Sequence, residues 1–275
     1  MKPLKPNEIL DYTIETGIAK AGGSFKKLFV LGILAGAFIA FAAEGSNMAA
    51  FNLFAEPTTY GLGKCIAGSI FGTGLMLVVL CGGELFTGNT LIFAGVLEKK
   101  VKISRMLRNW VIVYAGNFVG SLLIAYMMNA SGLFTSGADM LGAVTIKIAA
   151  YKCGLTFIQA LVLGIMCNWL VCLAVWLSYG ADTMAGKILG IFFPIWLFIT
   201  SGFEHSVANM YYIPAGIIAK SNATFAELSH VGADALANLS WSSFFINNLL
   251  PVTLGNIIGG AIFVGMAYWF VYKKA

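Results

Sequence analysis

Six long apolar runs dominate this 275-residue chain. A helix needs about 20 mainly apolar residues to cross the hydrocarbon core of a bilayer. Charged residues make up 11% of the sequence, whereas soluble domains contain about 25%. We therefore predict an all-α integral membrane protein with six transmembrane helices. The runs cover residues 28–43, 65–95, 107–129, 156–178, 187–218 and 246–272.

The distribution of basic residues indicates the orientation of the chain. Placing both termini in the cytoplasm puts 13 of the 17 Lys and Arg residues on that side of the membrane. Because basic residues are enriched in cytoplasmic loops, we predict cytoplasmic N and C termini. The formal net charge of +5 then reflects topology rather than a nucleic-acid-binding surface. We expect membrane lipid, and no nucleic acid, as a partner.

Residues 1–27 precede the first apolar run, and residues 28–275 form the predicted single membrane domain. Within the leading segment, Ile9, Leu10 and Ile14 recur at helical spacing. Two interpretations stay open for this segment: an amphipathic helix on the cytoplasmic surface, or a solvated leader.

Two of the apolar runs are too long for one straight crossing. Residues 65–95 and 187–218 each contain about thirty residues, and a helix rises about 1.5 Å per residue. Glycine and polar residues interrupt them at 81–89 (CGGELFTGN) and 200–209 (TSGFEHSVAN). Freed backbone groups must be buried in protein or line a cavity at that depth. The sequence therefore predicts that spans 2 and 5 are discontinuous.

The two halves of the chain, about 28–129 and 156–272, resemble each other. Three patterns recur in the same order, and an odd number of spans per repeat reverses the orientation of the second copy. The result is a 3+3 inverted repeat, in which broken helices at corresponding positions indicate the substrate site. The recurring sets are Val30-Leu31-Gly32-Ile33 with Val162-Leu163-Gly164-Ile165, Glu84 and Asn89 with Glu204 and Asn209, and Asn109, Gly116, Asn117 and Gly120 with Asn248, Gly255, Asn256 and Gly259.

Ionisable side chains within the breaks are the first functional candidates. His205 lies in the second break, and buried ionisable groups in membrane spans usually mark function. The alternative is a neutral imidazole that caps broken backbone, and both roles can hold together. Glu84 and Glu204 also lie in the breaks, where a bare carboxylate costs about 2.5 to 3.5 kcal/mol. We predict structural roles for both, and for Asn89, in satisfying loop N–H groups or capping the half-helices.

The breaks also predict the sign of the substrate charge. A half-helix that starts after a break directs its N-terminus, with about half a positive charge, into the membrane. Two such ends, with hydroxyl and imidazole donors, suit one small monovalent anion. Lys152, near the external end of the fourth span, either attracts anions or snorkels to the interface.

Sequence motifs for chemistry or a cofactor are absent. The chain has no P-loop, dinucleotide-binding fingerprint, nucleophile triad or metal-ligand spacing, and its five cysteines form no CxxC pair. We therefore expect neither an enzyme nor a cofactor or metal. A membrane-embedded enzyme or a structural subunit is the competing class, and paired helix breaks favour transport over both.

The break motifs identify the chain as similar to the formate/nitrite transporter family, the aquaporin-like channels for formate, nitrite and hydrosulfide. The resemblance covers residues 20–272, and its most specific stretches are 83–87 (GELFT), 168–174 (NWLVCLA), 201–210 (SGFEHSVANM) and 251–256 (PVTLGN). Aquaporins themselves carry paired Asn-Pro-Ala sequences, which this chain lacks. Conduction of small neutral solutes is therefore the alternative to anion transport.

The resemblance implies a role for several positions of this chain. It also implies a homopentamer with one pore per protomer, in the bacterial cytoplasmic membrane. Neither the residues nor the resemblance selects among formate, nitrite and hydrosulfide, and two mechanisms stay open: the ion crosses as an anion, or His205 donates a proton and the neutral acid crosses. The implied roles are a central histidine at His205, an opposing threonine at Thr87, a vestibule lysine at Lys152, pore asparagines at Asn168 and Asn209, and apolar constrictions at Phe71, Leu75 and Phe198.

Overall fold

The computed structural model describes residues 3–274, and its regular elements there are all helical. Met1, Lys2 and Ala275 lie outside the described residues. The predicted segments 1–27 and 28–275 are therefore described without them, and so is the predicted cytoplasmic position of Lys2. The helices are α1 Pro6–Ala21, α2 Phe25–Ala55, α3 Pro57–Gly82, α4 Phe86–Leu97 with a turn at 90–91, α5 Ile103–Ser131, α6 Met140–Cys153, α7 Phe157–Gly180, α8 Met184–Ser201, α9 Ser206–Ala219, α10 Ala223–Leu228, α11 Ala233–Asn238 and α12 Trp241–Lys274.

Six of these helices, within residues 3–274, are long and apolar enough to cross a membrane, which confirms the predicted number of spans. The first span is longer than predicted, because α2 continues to Ala55 instead of ending near residue 43. The polar residues Glu44 and Asn47 lie beyond the predicted end of this span, yet they are only 7% and 2% exposed. Neighbouring helices enclose these side chains, so the helix continues through them.

Both predicted breaks are present. The chain leaves helical geometry between Gly82 and Phe86, and again between Ser201 and Ser206. Gly82 and Gly202 occupy equivalent positions at the ends of α3 and α8, with φ angles of +90° and +79°. Residues with a Cβ atom rarely adopt this left-handed conformation, so glycine ends each half-helix here. Spans 2 and 5 are therefore discontinuous, as predicted.

Backbone contacts confirm the inverted repeat and extend it. The Glu84 N–H donates to the Leu31 carbonyl at 3.1 Å, and the Glu204 N–H donates to the Leu163 carbonyl at 3.3 Å. One further helix belongs to each half: α1 packs on α4, and α6 packs on α9. Residues 130–155, expected to be a connection, thus contain a repeat-related helix.

The N-terminal helix is part of the packed structure. Leu10 and Ile14 of α1 are buried, which excludes the solvated leader for residues 6–21. The Asp11 carboxylate also pairs with the Lys273 ammonium at 2.6 Å, so α1 and the end of α12 lie on the same face. We call this the Lys20 face, because α1 ends beside Lys20, and we call the opposite side the Lys152 face.

Candidate functional site

Each break is held by a buried asparagine from the last span of its repeat. The Asn117 side chain accepts the Phe86 N–H at 2.9 Å and donates to the Glu84 carbonyl at 2.8 Å. Asn256 makes the equivalent two bonds at the second break, at 2.9 and 3.0 Å. Backbone groups freed by the breaks are thereby satisfied within the protein. The Phe86 and Ser206 N–H groups thus donate to these asparagines and not to the side chains of Glu84 and Glu204, for which this role was predicted.

The first turns of α4 and α9 meet inside the membrane domain. Thr87 lies in the first turn of α4, and His205 is the residue directly before α9. Thr87 Oγ1 and His205 Nε2 are 2.9 Å apart, and both residues are buried. Because each helix N-terminus carries about half a positive charge, two partial positive charges converge at this contact.

The hydrogen bonds of His205 define which ring nitrogen carries a hydrogen. The Ala208 backbone N–H donates to His205 Nδ1 at 3.0 Å and caps α9. An amide N–H can only donate, so Nδ1 is the unprotonated nitrogen and Nε2 carries the hydrogen in the neutral ring. Nε2–H therefore donates to Thr87 Oγ1, and the Thr87 hydroxyl keeps its own hydrogen for another acceptor.

Three apolar side chains form a layer beside this contact. The Phe71 and Phe198 rings meet edge to face, with centroids 5.6 Å apart, and the Phe198 ring lies 6.1 Å from the His205 ring. Phe71, Leu75 and Phe198 are each at most 2% exposed. These are the residues for which the family resemblance implies a constriction; Phe71 and Leu75 lie on successive turns of α3, and Phe198 of α8 meets Phe71.

Two cavities approach the layer from opposite faces. The cavity of about 390 Å³ on the Lys152 face is lined by Phe198 and His205 among others. The cavity of about 170 Å³ on the Lys20 face is lined by Leu75 among others. They share no lining residue. The apolar layer and the Thr87–His205 contact therefore separate them.

Glu204 is neutralised by an ion pair. Lys152 Nζ lies 2.7 Å from Glu204 Oε1, and the two side chains are 11% and 2% exposed. Asn209 donates to Glu204 Oε2 at 2.6 Å and to Asn248 Oδ1 at 2.7 Å. A buried carboxylate is tolerated here because a cation and amide donors surround it. Lys152 is therefore a buried partner of Glu204 and not an interfacial snorkelling residue.

The same network recurs at the first break. Lys20 Nζ lies 3.0 Å from Glu84 Oε2 and 2.8 Å from Asn89 Oδ1. The Asn89 amide donates to Glu84 at 2.6 Å and to Asn109 at 2.9 Å. Lys20 is a site residue that was not predicted from the sequence. A signal existed, since Lys20 precedes Gly32 by twelve residues and Lys152 precedes Gly164 by the same number.

The two predicted pore asparagines lie in different places. Asn209 lines the cavity on the Lys152 face, and its Oδ1 has no hydrogen-bond partner in the described part of the chain. Asn168 lines neither cavity. It is fully buried and donates to the Thr87 carbonyl at 3.2 Å and to Thr90 Oγ1 at 3.1 Å. Asn168 thus binds the backbone carbonyl of Thr87 without facing either cavity.

Among residues 3–274, no group of three His, Cys, Asp or Glu side chains is arranged to hold a metal ion. The polar atoms of the site are instead amides, hydroxyls, one imidazole and two Lys–Glu pairs. Such a set donates hydrogen bonds at the membrane centre and has its carboxylates neutralised by lysines. It suits a small anion better than a cation.

The chain is similar to known proteins over most of its length. A family model described as Formate/nitrite transporter matches residues 7–270. The chain is 43% identical over 262 residues to the "Probable formate transporter" of Methanothermobacter thermautotrophicus, covering 90% of this chain and 89% of that relative. It is 39% identical over 272 residues to the "Formate channel FocA" of Haemophilus influenzae, covering 98% of this chain and 95% of that relative.

A solved structure shares the fold. The structure titled "Pentameric formate channel with formate bound" superimposes with a TM-score of 0.80 and 39% sequence identity. The match covers 91% of this chain and 98% of that one.

Proposed function

The chain belongs to the formate/nitrite transporter family and is a channel or transporter for small anions, and from that premise we propose that it conducts formate as a homopentamer with one pathway in each protomer. The relatives named as formate channels support formate as the substrate. The pentameric structural neighbour supports the assembly. Membership of a transport family also argues against an enzyme.

The Thr87–His205 contact carries the proposal. It joins two helix N-termini at the layer where the two cavities end. An anion that reaches this layer loses water, and its transfer into an apolar medium is costly without compensation. The Thr87 hydroxyl and the two helix ends supply a donor and positive charge at that point. An ordinary neutral solute needs no such charge, so anion passage fits the geometry better.

His205 acts in this mechanism as a neutral hydrogen-bond donor. Its Nδ1 accepts the Ala208 N–H, so adding a second proton to the ring requires loss of the cap on α9. Its Nε2–H polarises the Thr87 hydroxyl, which then donates more strongly to the anion. The anion form therefore crosses the layer, and proton donation by His205 is the less favoured of the two mechanisms considered above.

The apolar side chains act as the gate of the pathway. Phe71, Leu75 and Phe198 close the layer to water, and opening requires their side chains to move. The Lys20 face is assigned to the cytoplasm, because α1 and the end of α12 lie there and basic residues are enriched on the cytoplasmic side. In the cytoplasmic membrane, where we place the protein, the larger cavity then faces outward.

Formate flux into proteoliposomes tests the proposal. We expect Thr87→Val to lower flux by about 10- to 100-fold, because a hydrogen bond to a charged group contributes about 1.5 to 3 kcal/mol. Thr87→Ser keeps the hydroxyl and should stay within about threefold of wild type. His205→Phe should also lower flux, without converting electrogenic anion flux into electroneutral acid flux.

Membrane potential, recorded with a voltage-sensitive dye, reports which species crosses. Lack of formate flux by the wild-type protein would refute the function. Unchanged flux in Thr87→Val would remove Thr87 from the pathway. Electroneutral flux in the wild type would show that the neutral acid is the species transported.

A further inference from the structure

The cavity on the Lys152 face is lined by lysines that do not belong to the Lys152–Glu204 ion pair. Its charged lining residues are Lys64, Lys147, Lys152 and Glu204. Lys152 is held by Glu204 at 2.7 Å, so this pair adds no net charge. The net positive charge of the cavity lining therefore comes from Lys64 and from the exposed Lys147. The cavity on the Lys20 face lacks such a surplus, since Lys20 is its one lining lysine and pairs with Glu84.

Lys64 directs its ammonium toward the second break. Its Nζ lies 3.7 Å from the position that a Cβ atom on Gly202 would occupy, three residues before His205. Across residues 3–274, the Lys64 ammonium has no carboxylate within ion-pair distance and no hydrogen-bond acceptor. The repeat-related position on α8 is Met184, so this cation has no counterpart on the other face.

Asn47 supplies a second donor to the same cavity. The residue lines the cavity and is 2% exposed, and its Nδ2 has no partner within the described residues. A buried donor left without an acceptor costs about 1 to 3 kcal/mol. Such an atom in a cavity wall therefore indicates a missing ligand or water.

Helix packing keeps Asn47 and Lys64 in register. The Ser46 hydroxyl, beside Asn47, donates to the Ala67 carbonyl at 2.8 Å, and Ala67 lies one helical turn after Lys64. The bond fixes α2 against α3 at the level of the cavity. Two donors on adjacent helices thus face one space, one of them charged and one neutral.

The acceptors near these donors do not cancel them. Glu204 is neutralised by Lys152, and Asn209 Oδ1 is an uncharged amide oxygen. Glu44 lies one turn before Asn47 but does not line the cavity; one of its carboxyl oxygens accepts from the Tyr211 hydroxyl, and the other has no partner among the described residues. The space beside Lys64 and Asn47 therefore has a surplus of donors.

We propose that Lys64 and Asn47 form a binding site for a monovalent anion with two acceptor oxygens, located before the Phe198 constriction. One oxygen accepts from the Lys64 ammonium and the other from the Asn47 amide. Formate and nitrite meet this requirement, whereas hydrosulfide offers a single acceptor atom and leaves the amide unsatisfied. The inference rests on the proposed function and gives it a specificity: two-oxygen anions bind more tightly here than hydrosulfide.

Sided membrane vesicles test the site. Right-side-out and inside-out vesicles from the same cells expose opposite faces of the full-length protein, and initial influx is measured against anion concentration at low ionic strength. With the Lys152 face outward, Lys64→Gln should raise the half-saturation concentration for formate about tenfold, and the maximal rate should change less than about threefold. Vesicles that present the Lys20 face should show no shift.

The amide and charge contributions are separated by further variants. Asn47→Leu should raise the half-saturation concentration about fivefold for formate and nitrite and less than about twofold for hydrosulfide. Lys147→Gln removes an exposed charge from the same cavity and should shift the value less than about twofold, because its field is screened. Lys64→Arg should restore most of the affinity and shows that the fold tolerates change at this position.

The outcomes separate this site from the proposed function. An unchanged half-saturation concentration in Lys64→Gln, or an equal shift in Lys147→Gln, would overturn the site while formate conduction stands. An Asn47→Leu effect that is the same for hydrosulfide as for formate would overturn the specificity. Vesicles of the wild-type protein that take up no formate would instead refute the proposed function.

Discussion

At the scale of single residues, the two glutamates in the breaks present an electrostatic problem for an anion pathway. Each is paired with a lysine from the helix that precedes its repeat, at 3.0 Å for Lys20–Glu84 and 2.7 Å for Lys152–Glu204. The second pair is the more buried, with its glutamate side chain 2% exposed against 11% for Glu84. The pairing holds the breaks together without adding net negative charge.

A double-mutant cycle tests the buried pair. Lys152→Met should destabilise the protein by about 3 to 5 kcal/mol, because it leaves Glu204 buried without its cation. Adding Glu204→Gln should recover much of that loss, since no unpaired charge remains. Thermal unfolding of the detergent-solubilised protein provides the measurement. Lys20→Met is the matched control and should cost less, because the Lys20–Glu84 pair is more exposed. Simple additivity of the Lys152 and Glu204 variants would contradict this account.

At the scale of helices, the two breaks are built by the same parts in each repeat. A glycine in the left-handed conformation ends the first half-helix, and an asparagine side chain binds the loop. The second half-helix begins directly after this loop. The parts are local in sequence except for the asparagine, which comes from the third span of the repeat. The break therefore depends on packing between spans, since an isolated span has no partner for its freed backbone groups.

Gly82→Ala isolates the backbone contribution to the first break. An added Cβ would meet no atom within 4 Å, so the cost arises from the φ of +90° alone. We expect a loss of about 1 to 2 kcal/mol in stability, measured by thermal unfolding. Gly61→Ala is the control within α3, because its Cβ also meets no atom within 4 Å and its φ is not positive. That change should be neutral or stabilising, and equal losses in the two variants would exclude backbone strain as the cause.

At the scale of the whole molecule, the inverted repeat produces two entrances that are related but unequal. The cavity on the Lys152 face is about 390 Å³, against about 170 Å³ on the Lys20 face, and it contains the additional lysines. The N-terminal helix α1 and the end of α12 meet on the Lys20 face through Asp11 and Lys273. The repeat therefore sets the path, and the residues that differ between its copies make the two entrances unequal.

Labelling of single cysteines tests the orientation. Lys26 is exposed at the start of α2 on the Lys20 face, and Ser221 is exposed after α9 on the Lys152 face. In intact cells, a membrane-impermeant maleimide should label Ser221→Cys and leave Lys26→Cys unlabelled until the cells are permeabilised, because the Lys20 face is predicted to be cytoplasmic. The unmodified protein measures the background from its native cysteines. The reverse labelling pattern would invert the assignment of both cavities.

The sequence alone determined the number of spans, both helix breaks and the inverted repeat. These features depend on the length of apolar runs and on the polar residues within them, and both patterns are local in the sequence. Only the tertiary structure showed that α2 continues past Glu44 and Asn47, that Lys20 and Lys152 neutralise the break glutamates, and that Asn168 binds the backbone carbonyl of Thr87. Each of these depends on which distant helices pack together, because a polar side chain in a span is tolerated only when a partner from another helix reaches it.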